Sequence, residues 1–215
     1  MERSEGRIYG MLSCIEDNEA RLSGVVMCSP EESHEVHGER FYRFSVKSKR
    51  LSDNADVIII TAPESLLKNT EVCEGDCVEI TGQFRSYNNY SGIGNKLVLT
   101  LFAKTLEKCE GIFEPCNEVY LNGYVCKEII CRVTPFGREI ADVLLAVNRA
   151  YNKSDYIPCI AWGRNARRLK DVVVGTNLKI CGRMQSREYE KKLNECETET
   201  KTAYEVSVSK IEIAE

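Results

Sequence analysis

The chain has 215 residues, 43% apolar side chains and a net charge of −4. That is enough apolar material for two cores of ordinary domain size, and too much for a disordered chain. No apolar run approaches the ~18 residues of a membrane span, and the charged start Met1–Tyr9 leads into no apolar signal segment, so a cytoplasmic location is expected.

The first segment, 1–17, reads as an N-terminal leader with a mildly apolar stretch, Met11-Leu12-Ser13-Cys14-Ile15. The first unit, 18–106, is expected to hold strands at about 20–28, 40–49, 56–61, 76–86 and 96–106. A short helix is expected at 63–69, with Pro63 suited to its first turn because the missing N–H would be unpaired there. A charged linker, 107–116, follows.

The second unit, 117–215, opens with Val119, Leu121, Gly123 and Val125 alternating at period 2, the mark of a half-buried strand. Thr134-Pro135-Phe136-Gly137 favours a reversal. Strands are expected at 140–147, 155–162, 177–185 and 203–213, with a helix at Asn165–Lys170. Residues 148–154 read as a polar loop. Pro158 suggests an edge position or a bulge. The polar segment 187–202 joins the last two strands, and its ends could extend them into a long hairpin.

The two units repeat at an offset near 99. Asn18-Glu19-Ala20-Arg21-Leu22-Ser23-Gly24-Val25-Val26 echoes Asn117-Glu118-Val119-Tyr120-Leu121-Asn122-Gly123-Tyr124-Val125. Arg50 falls on Arg149, Asp56 on Asp155 and, one residue later, Gly75 on Gly175 and Gly82 on Gly182. Glycine flanking or interrupting a strand lets it bend sharply. Five strands with a helix between the third and fourth is the OB plan. The expected fold is therefore all-β: two tandem five-stranded OB-type Greek-key barrels, each with one short helix between strands three and four.

Eleven cysteines follow no framework spacing, and the expectation is reduced, buried small hydrophobes. Cys28 with His34 and His37 is the only local cluster of metal-ligand types, and four convergent ligands are lacking. No metal or cofactor is expected. The two histidines lie in a polar loop, and no phosphate loop or nucleophile elbow is present, so an enzyme is not expected.

Charge is unevenly placed: net −5 over 1–110, +1 over 111–215, and +6 over 117–193. The basic stretch is also the aromatic one. Tyr151 lies in a polar loop beside Arg149 and Lys153. Tyr156 and Trp162 lie on one strand at even spacing, hence on one face. Arg164, Arg167 and Arg168 follow. Tyr189 is flanked by Arg187, Lys191 and Lys192. Exposed rings stack on unpaired bases, and cations neutralise phosphates, so this mixture suits single-stranded nucleic acid. The plainer readings are a core tryptophan for Trp162 and a solvated helix face for Arg167 and Arg168. Tyr204 alternates with Val206 and Val208 and reads as packing. Tyr124 could line a groove or a subunit interface.

Residues 117–213 resemble the bacterial single-stranded-DNA-binding protein family. The resemblance is carried by Asn117–Val125, Thr134–Gly137, Ala146-Val147-Asn148-Arg149-Ala150-Tyr151, Asp155–Gly163, Gly175, Ile180–Tyr189 and Thr202–Val206. It implies sequence-independent binding of single-stranded DNA in replication, recombination or repair. It places the family's base-stacking rings on Tyr151, Tyr156, Trp162 and Tyr189. The family assembles four barrels, so a duplicated chain implies a homodimer. The first unit departs from the pattern, with Ser52, Val57, Pro63 and roughly Asn89 at the matching places, while Tyr87 and Tyr90 lie nearby; an assembly role is favoured for it. The family's acidic-hydrophobic tail tip, which recruits repair and replication proteins, has no counterpart after Lys210–Glu215, so that recruitment is not carried over.

The rival reading is a structural or protein-interaction OB module of a replication or primosome-type assembly, with little nucleic-acid affinity. RNA is the alternative strand, since nothing in the sequence reports a 2′-hydroxyl contact.

Overall fold

The computed structural model describes residues 17–50, 52, 54–89, 97–109, 114–192 and 198–214, without the side chains of 191, 192 and 199. The apolar leader stretch, Tyr90 and the middle of the linker lie outside the described residues.

The first half comprises β1 (Asn18–Val26), β2 (Glu31–Val36), β3 (Glu39–Lys49), β4 (Ala55–Pro63), α1 (Glu64–Asn69), β5 (Cys77–Asn88) and β6 (Leu97–Lys108). The second comprises β7 (Asn117–Val125), β8 (Ile130–Val133), β9 (Glu139–Arg149), β10 (Lys153–Trp162), α2 (Arg164–Arg168), β11 (Asn177–Lys192) and β12 (Thr198–Ile213). The alternation expected at the start of the second unit is realised in β7, where Val119, Leu121 and Val125 are buried. Both helices fall between the expected strands.

In each half the strand pairings close on themselves. β1 pairs with β3 and β5, β3 with β4, β4 in parallel with β6, and β6 with β5. β7, β9, β10, β12 and β11 repeat this ring. Leu22, Phe44, Ile58, Ile60, Ile80, Phe84 and Leu101 fill the first interior. Leu121, Leu145, Ile157, Leu178, Ile180, Met184 and Val206 fill the second.

Several details differ from expectation. β2 and β8 are additional edge strands whose residues are all exposed, so neither shows the alternation that marks a half-buried strand. The loop expected at 148–154 is a tight hairpin, because Arg149 already pairs with Lys153. Pro158 introduces no bulge: the β9–β10 register runs unbroken from Lys153 to Trp162. Register shifts fall instead at Thr81/Gly82 and Cys181/Gly182, and at Glu32/His34 in the β2–β3 edge pair. A Cβ on Gly82 would stand 2.0 Å from the Phe102 carbonyl oxygen, and one on Gly182 2.5 Å from that of Ser207, which explains why glycine recurs there. Pro63 ends β4 and caps α1 rather than entering its first turn. Of the described cysteines, only Cys159 is buried; Cys28, Cys73 and Cys131 are exposed and the rest are part-buried.

The halves join through β1 and β7, which pair antiparallel from Asn18↔Leu121 to Leu22↔Asn117. The ladder is centred on Ala20↔Val119, so a local two-fold relates the two halves. The repeated landmarks obey it. Asn18 donates from Nδ2 to the Phe84 carbonyl and accepts the Phe84 N–H, both at 2.8 Å; Asn117 does the same with Met184. Each amide thus continues a strand ladder by one more pair. Asp56 accepts the Ser186 N–H at 3.1 Å across the junction, and Asp155 accepts the Ser86 N–H at 2.8 Å. Their own-half partners are Arg50, bidentate on Asp56, and Arg149, 3.3 Å from Asp155. The repeat noted in the sequence therefore includes both contacts within each half, at Asn18 and Asn117, and contacts crossing between the halves, at Asp56 and Asp155.

Candidate nucleic-acid interface

The outer face of the second half follows from strand parity. Ile157, Cys159 and Ala161 of β10 point into the core, so Tyr156, Pro158, Ile160 and Trp162 share the other face. Tyr156 stands opposite Ala146 of β9, and Ala146 stands opposite Tyr124 of β7. One cross-strand row therefore holds two rings with a small residue between them. Trp162 closes the ladder opposite Ile140. Tyr124 and Tyr156 are about half exposed, and Trp162 and Tyr189 are each 37% exposed.

Tyr151 sits at the tip of the β9–β10 hairpin and is 94% exposed. Its φ is +62° and that of Asn152 is +53°. Left-handed backbone disfavours a bulky residue. The turn thus holds an aromatic ring in solvent against its local preference, a pattern associated with functional positions.

Tyr189 lies on β11 opposite Lys201 of β12. On the same side of that hairpin, Gln185 donates to Glu205 at 3.0 Å and Arg187 stands 3.7 Å from it. Glu205 is 12% exposed at its side chain. Burial holds its carboxyl above the usual range, against Arg187 and the Gln185 hydrogen bond. Asp142 of β9, paired with Arg132 at 2.8 Å, adds a second acid to this face.

The cations expected at the site fall into two groups. Lys153, Arg164 and Arg187 are exposed. Arg149 is drawn into the ion pair with buried Asp155. Arg167 pairs with Glu139 at 3.4 Å, and Arg168 donates to the Ile211 carbonyl at 2.9 Å, so the plainer reading of these two as cover for the helix fits their contacts. The side chains of Lys191 and Lys192 lie outside the described residues. Tyr204 packs against the core, as expected. Among the described residues no group of His, Cys, Asp and Glu is arranged to hold a metal, and His34 stacks on Phe41 instead. Sequence reasoning left Tyr124 open and did not foresee Glu205 and Asp142. Only the strand register brings those acids onto the face.

Residues 116–214 match the model of the single-strand binding protein family. That match covers just under half of the chain, all of it in the second half. Among curated relatives, single-stranded DNA-binding protein A of Bacillus subtilis is 35% identical over 81 residues, covering 34% of this chain and 47% of the relative. Single-stranded DNA-binding protein 1 of Streptococcus pyogenes has the same identity and span, covering 62% of the relative. The chain spans about half the length of the first of these. The single-stranded DNA binding protein from Thermus aquaticus superposes with a TM-score of 0.75 at 16% identity, covering 92% of this chain and 93% of that one. That likeness extends over both halves and shows an all-β, OB-type fold with two structural repeats. The family match thus falls on the half that carries the exposed rings, and the first half shares the fold without sharing those rings.

Proposed function

We propose that the chain binds single-stranded DNA without regard to sequence, through the outer face of the second half. The reading rests on one observation above others: Tyr151, Tyr156, Trp162 and Tyr189 are all solvent-exposed on the half that matches the single-strand binding family. A base offers a π-face to such rings, and stacking accepts any base. Tyr124 extends the platform. Lys153, Arg164 and Arg187 are the cations placed to meet phosphates, with Lys191 and Lys192 next along the β11–β12 hairpin. Arg149 acts by holding Asp155 and the hairpin base.

In this proposal 117–215 is the main binding unit, 18–106 the diverged first unit and 107–116 the linker. Each closed ring of strands serves as a five-stranded barrel. Two chains associate to present four of them, and the protein protects unpaired DNA in replication, recombination or repair. The acids Asp142 and Glu205 favour the rival reading of a protein-interaction module, and one measurement decides between the two. Fluorescence titration of oligo(dT) should give tight, salt-sensitive binding with quenching of Trp162, and duplex DNA should bind far more weakly. Trp162→Ala and Tyr156→Ala should each cost about 1–3 kcal/mol. Unchanged affinity in both variants, with unfolding as in the parent, excludes stacking at this face. Oligo(rU) run beside oligo(dT) reports the strand preference, and sedimentation reports the dimer.

A further inference from the structure

Two cysteines of the first half stand face to face at the end of a strand pair. Val78 pairs with Lys108 where the β5–β6 ladder closes. One residue further, the Cys109 N–H donates to the Cys77 carbonyl at 2.9 Å. The ladder thus continues by one step and sets Cys77 directly opposite Cys109. Val78 and Ile80 of β5 are buried, so Cys77, Glu79 and Thr81 share its outer face. Opposite them stand Cys109, Glu107 and Thr105. Both cysteines are part-buried, and no other two of the described cysteines are partners across a ladder.

The surroundings fix this pair from both sides. Immediately before each cysteine, Asp76 and Lys108 form an ion pair at 2.9 Å. Asp76 also accepts the Cys73 N–H at 2.7 Å, in a turn where Gly75 takes a φ of +89°, and so sets how the chain enters β5. Further along the same outer row, the Thr81 and Thr105 hydroxyls meet at 2.6 Å. A threonine Oγ1 and a cysteine Sγ hang from the same carbon, so γ atoms of opposed residues on this ladder can come into contact. A hydrogen-bonded antiparallel pair holds its Cα atoms about 5.5 Å apart, inside the ~4.4–6.8 Å that a disulfide spans. Its Cβ atoms stand wider than the ~3.8 Å a disulfide prefers, which leaves a bridge here strained and easily reduced. Burial raises the Cys109 thiol, and Glu79, Cys77 and Glu107 add to it. Thiolate is the reacting form, so exchange at this thiol quickens as pH rises.

We propose that Cys77 and Cys109 form a reversible disulfide, closed by exchange with a low-molecular-weight disulfide such as oxidised glutathione. One cysteine thiolate attacks the small disulfide and expels a small thiolate, leaving a mixed disulfide. The other cysteine thiolate attacks the protein sulfur of that intermediate and expels the second small thiolate. Two protein thiols are oxidised, and one small disulfide is reduced to two thiols that take up the two protons. The bridge ties the start of the linker to β5. The far end of the linker is already anchored on β1, where the Ser23 hydroxyl donates to the Glu114 carbonyl at 3.1 Å and accepts the Cys116 N–H at 2.6 Å. Oxidation therefore holds both ends of the connection that leads into the second half.

The test equilibrates the full chain in glutathione buffers from reducing to oxidising, then blocks free thiols and maps the peptides by mass spectrometry. At the oxidising end one cross-linked peptide should join Cys77 to Cys109, and dithiothreitol should restore both thiols. Closure should be faster at higher pH. The thermal midpoint should rise by about 2–10 °C on oxidation, because the closed loop restrains the unfolded chain. Cys109→Ser should lose the cross-link and the shift, while Cys73→Ser and Cys116→Ser keep them. Two free thiols at the oxidising end, glutathione left singly on Cys77 or Cys109, or a bridge from either to another cysteine would each overturn the proposal. The mapping is made on the parent chain, so it decides even where a serine variant does not fold.

Discussion

Tyr151 combines a strained backbone with a ring that touches almost nothing. Asparagine tolerates the left-handed region better than tyrosine does. Tyr151→Asn should therefore leave the thermal midpoint unchanged or slightly raised. If the ring stacks on a base, the same variant should weaken oligo(dT) binding by about 1–3 kcal/mol. A fall in stability together with unchanged binding would assign the ring a packing role instead. At this scale the sequence was legible wherever a side chain acts alone. Tyr151 stood out because a polar segment offers a ring no core to fill. Arg149 was not legible in the same way: its charge is visible in the sequence, but its commitment to Asp155 depends on a hairpin that brings residues six apart face to face. The cysteines misled for a related reason. Small size and mild apolarity suit them to a core, yet they equally suit strand ends. Among the described cysteines only Cys159, whose thiol is pushed up strongly by burial, fills the interior as expected.

Between elements, the β8, β9, β11 and β12 strands set Glu205 among Gln185, Arg187, Arg132 and Asp142. Burial holds the Glu205 carboxyl above the usual range, so the folded chain takes up a proton more readily than the unfolded one. As pH falls through the raised value, the fold gains stability relative to the unfolded chain, and the gain is complete below the unfolded value near ~4.3. The same protonation removes a negative charge from the proposed binding face. Glu205→Gln should tighten oligo(dT) binding at neutral pH by releasing Arg187, and should flatten the pH dependence of the urea midpoint above the unfolded carboxyl value near ~4.3. Binding weaker than the parent's would show that Glu205 orders Arg187 for its task. The strands themselves were largely legible, because alternation and glycine breaks mark a half-buried ribbon. β2 and β8 were not. An edge strand exposed on both faces has no apolar period to reveal it, and the glutamates of β2 blunt an edge that would otherwise pair with other chains.

For the molecule as a whole, the junction between halves decides how it unfolds. Asp56 is fully buried and accepts from Arg50 and from the Ser186 N–H, with Arg183 nearby at 3.7 Å. Asp56→Ala would leave Arg50 and Arg183, both partly exposed, without their carboxylate and the Ser186 N–H without its acceptor, and should cost about 1–3 kcal/mol. Because β1–β7 pairing and the Asp56 and Asp155 contacts bind the halves together, urea should unfold the parent in a single transition. Two separate transitions in Asp56→Ala would show that this carboxylate couples the halves, and two in the parent would show that they fold independently. The duplication could be read from the sequence as an order of landmarks; that two of them, Asp56 and Asp155, reach across to the opposite half could not, since each lies far along the chain from the N–H it accepts.

The ladder between β1 and β7 has a further consequence. A dimer of identical barrels must carry every substitution twice, and its two faces stay the same. Here the partner strands belong to one polypeptide, so each face is free to change without its twin. Arg43 can stand where the other half keeps Asp142. The local symmetry of the backbone is thereby emptied of chemical symmetry. A strand laid across both faces would meet them in one order when it runs 5′ to 3′ and in the reverse order when turned around, giving the molecule a sense of polarity that identical halves could not supply.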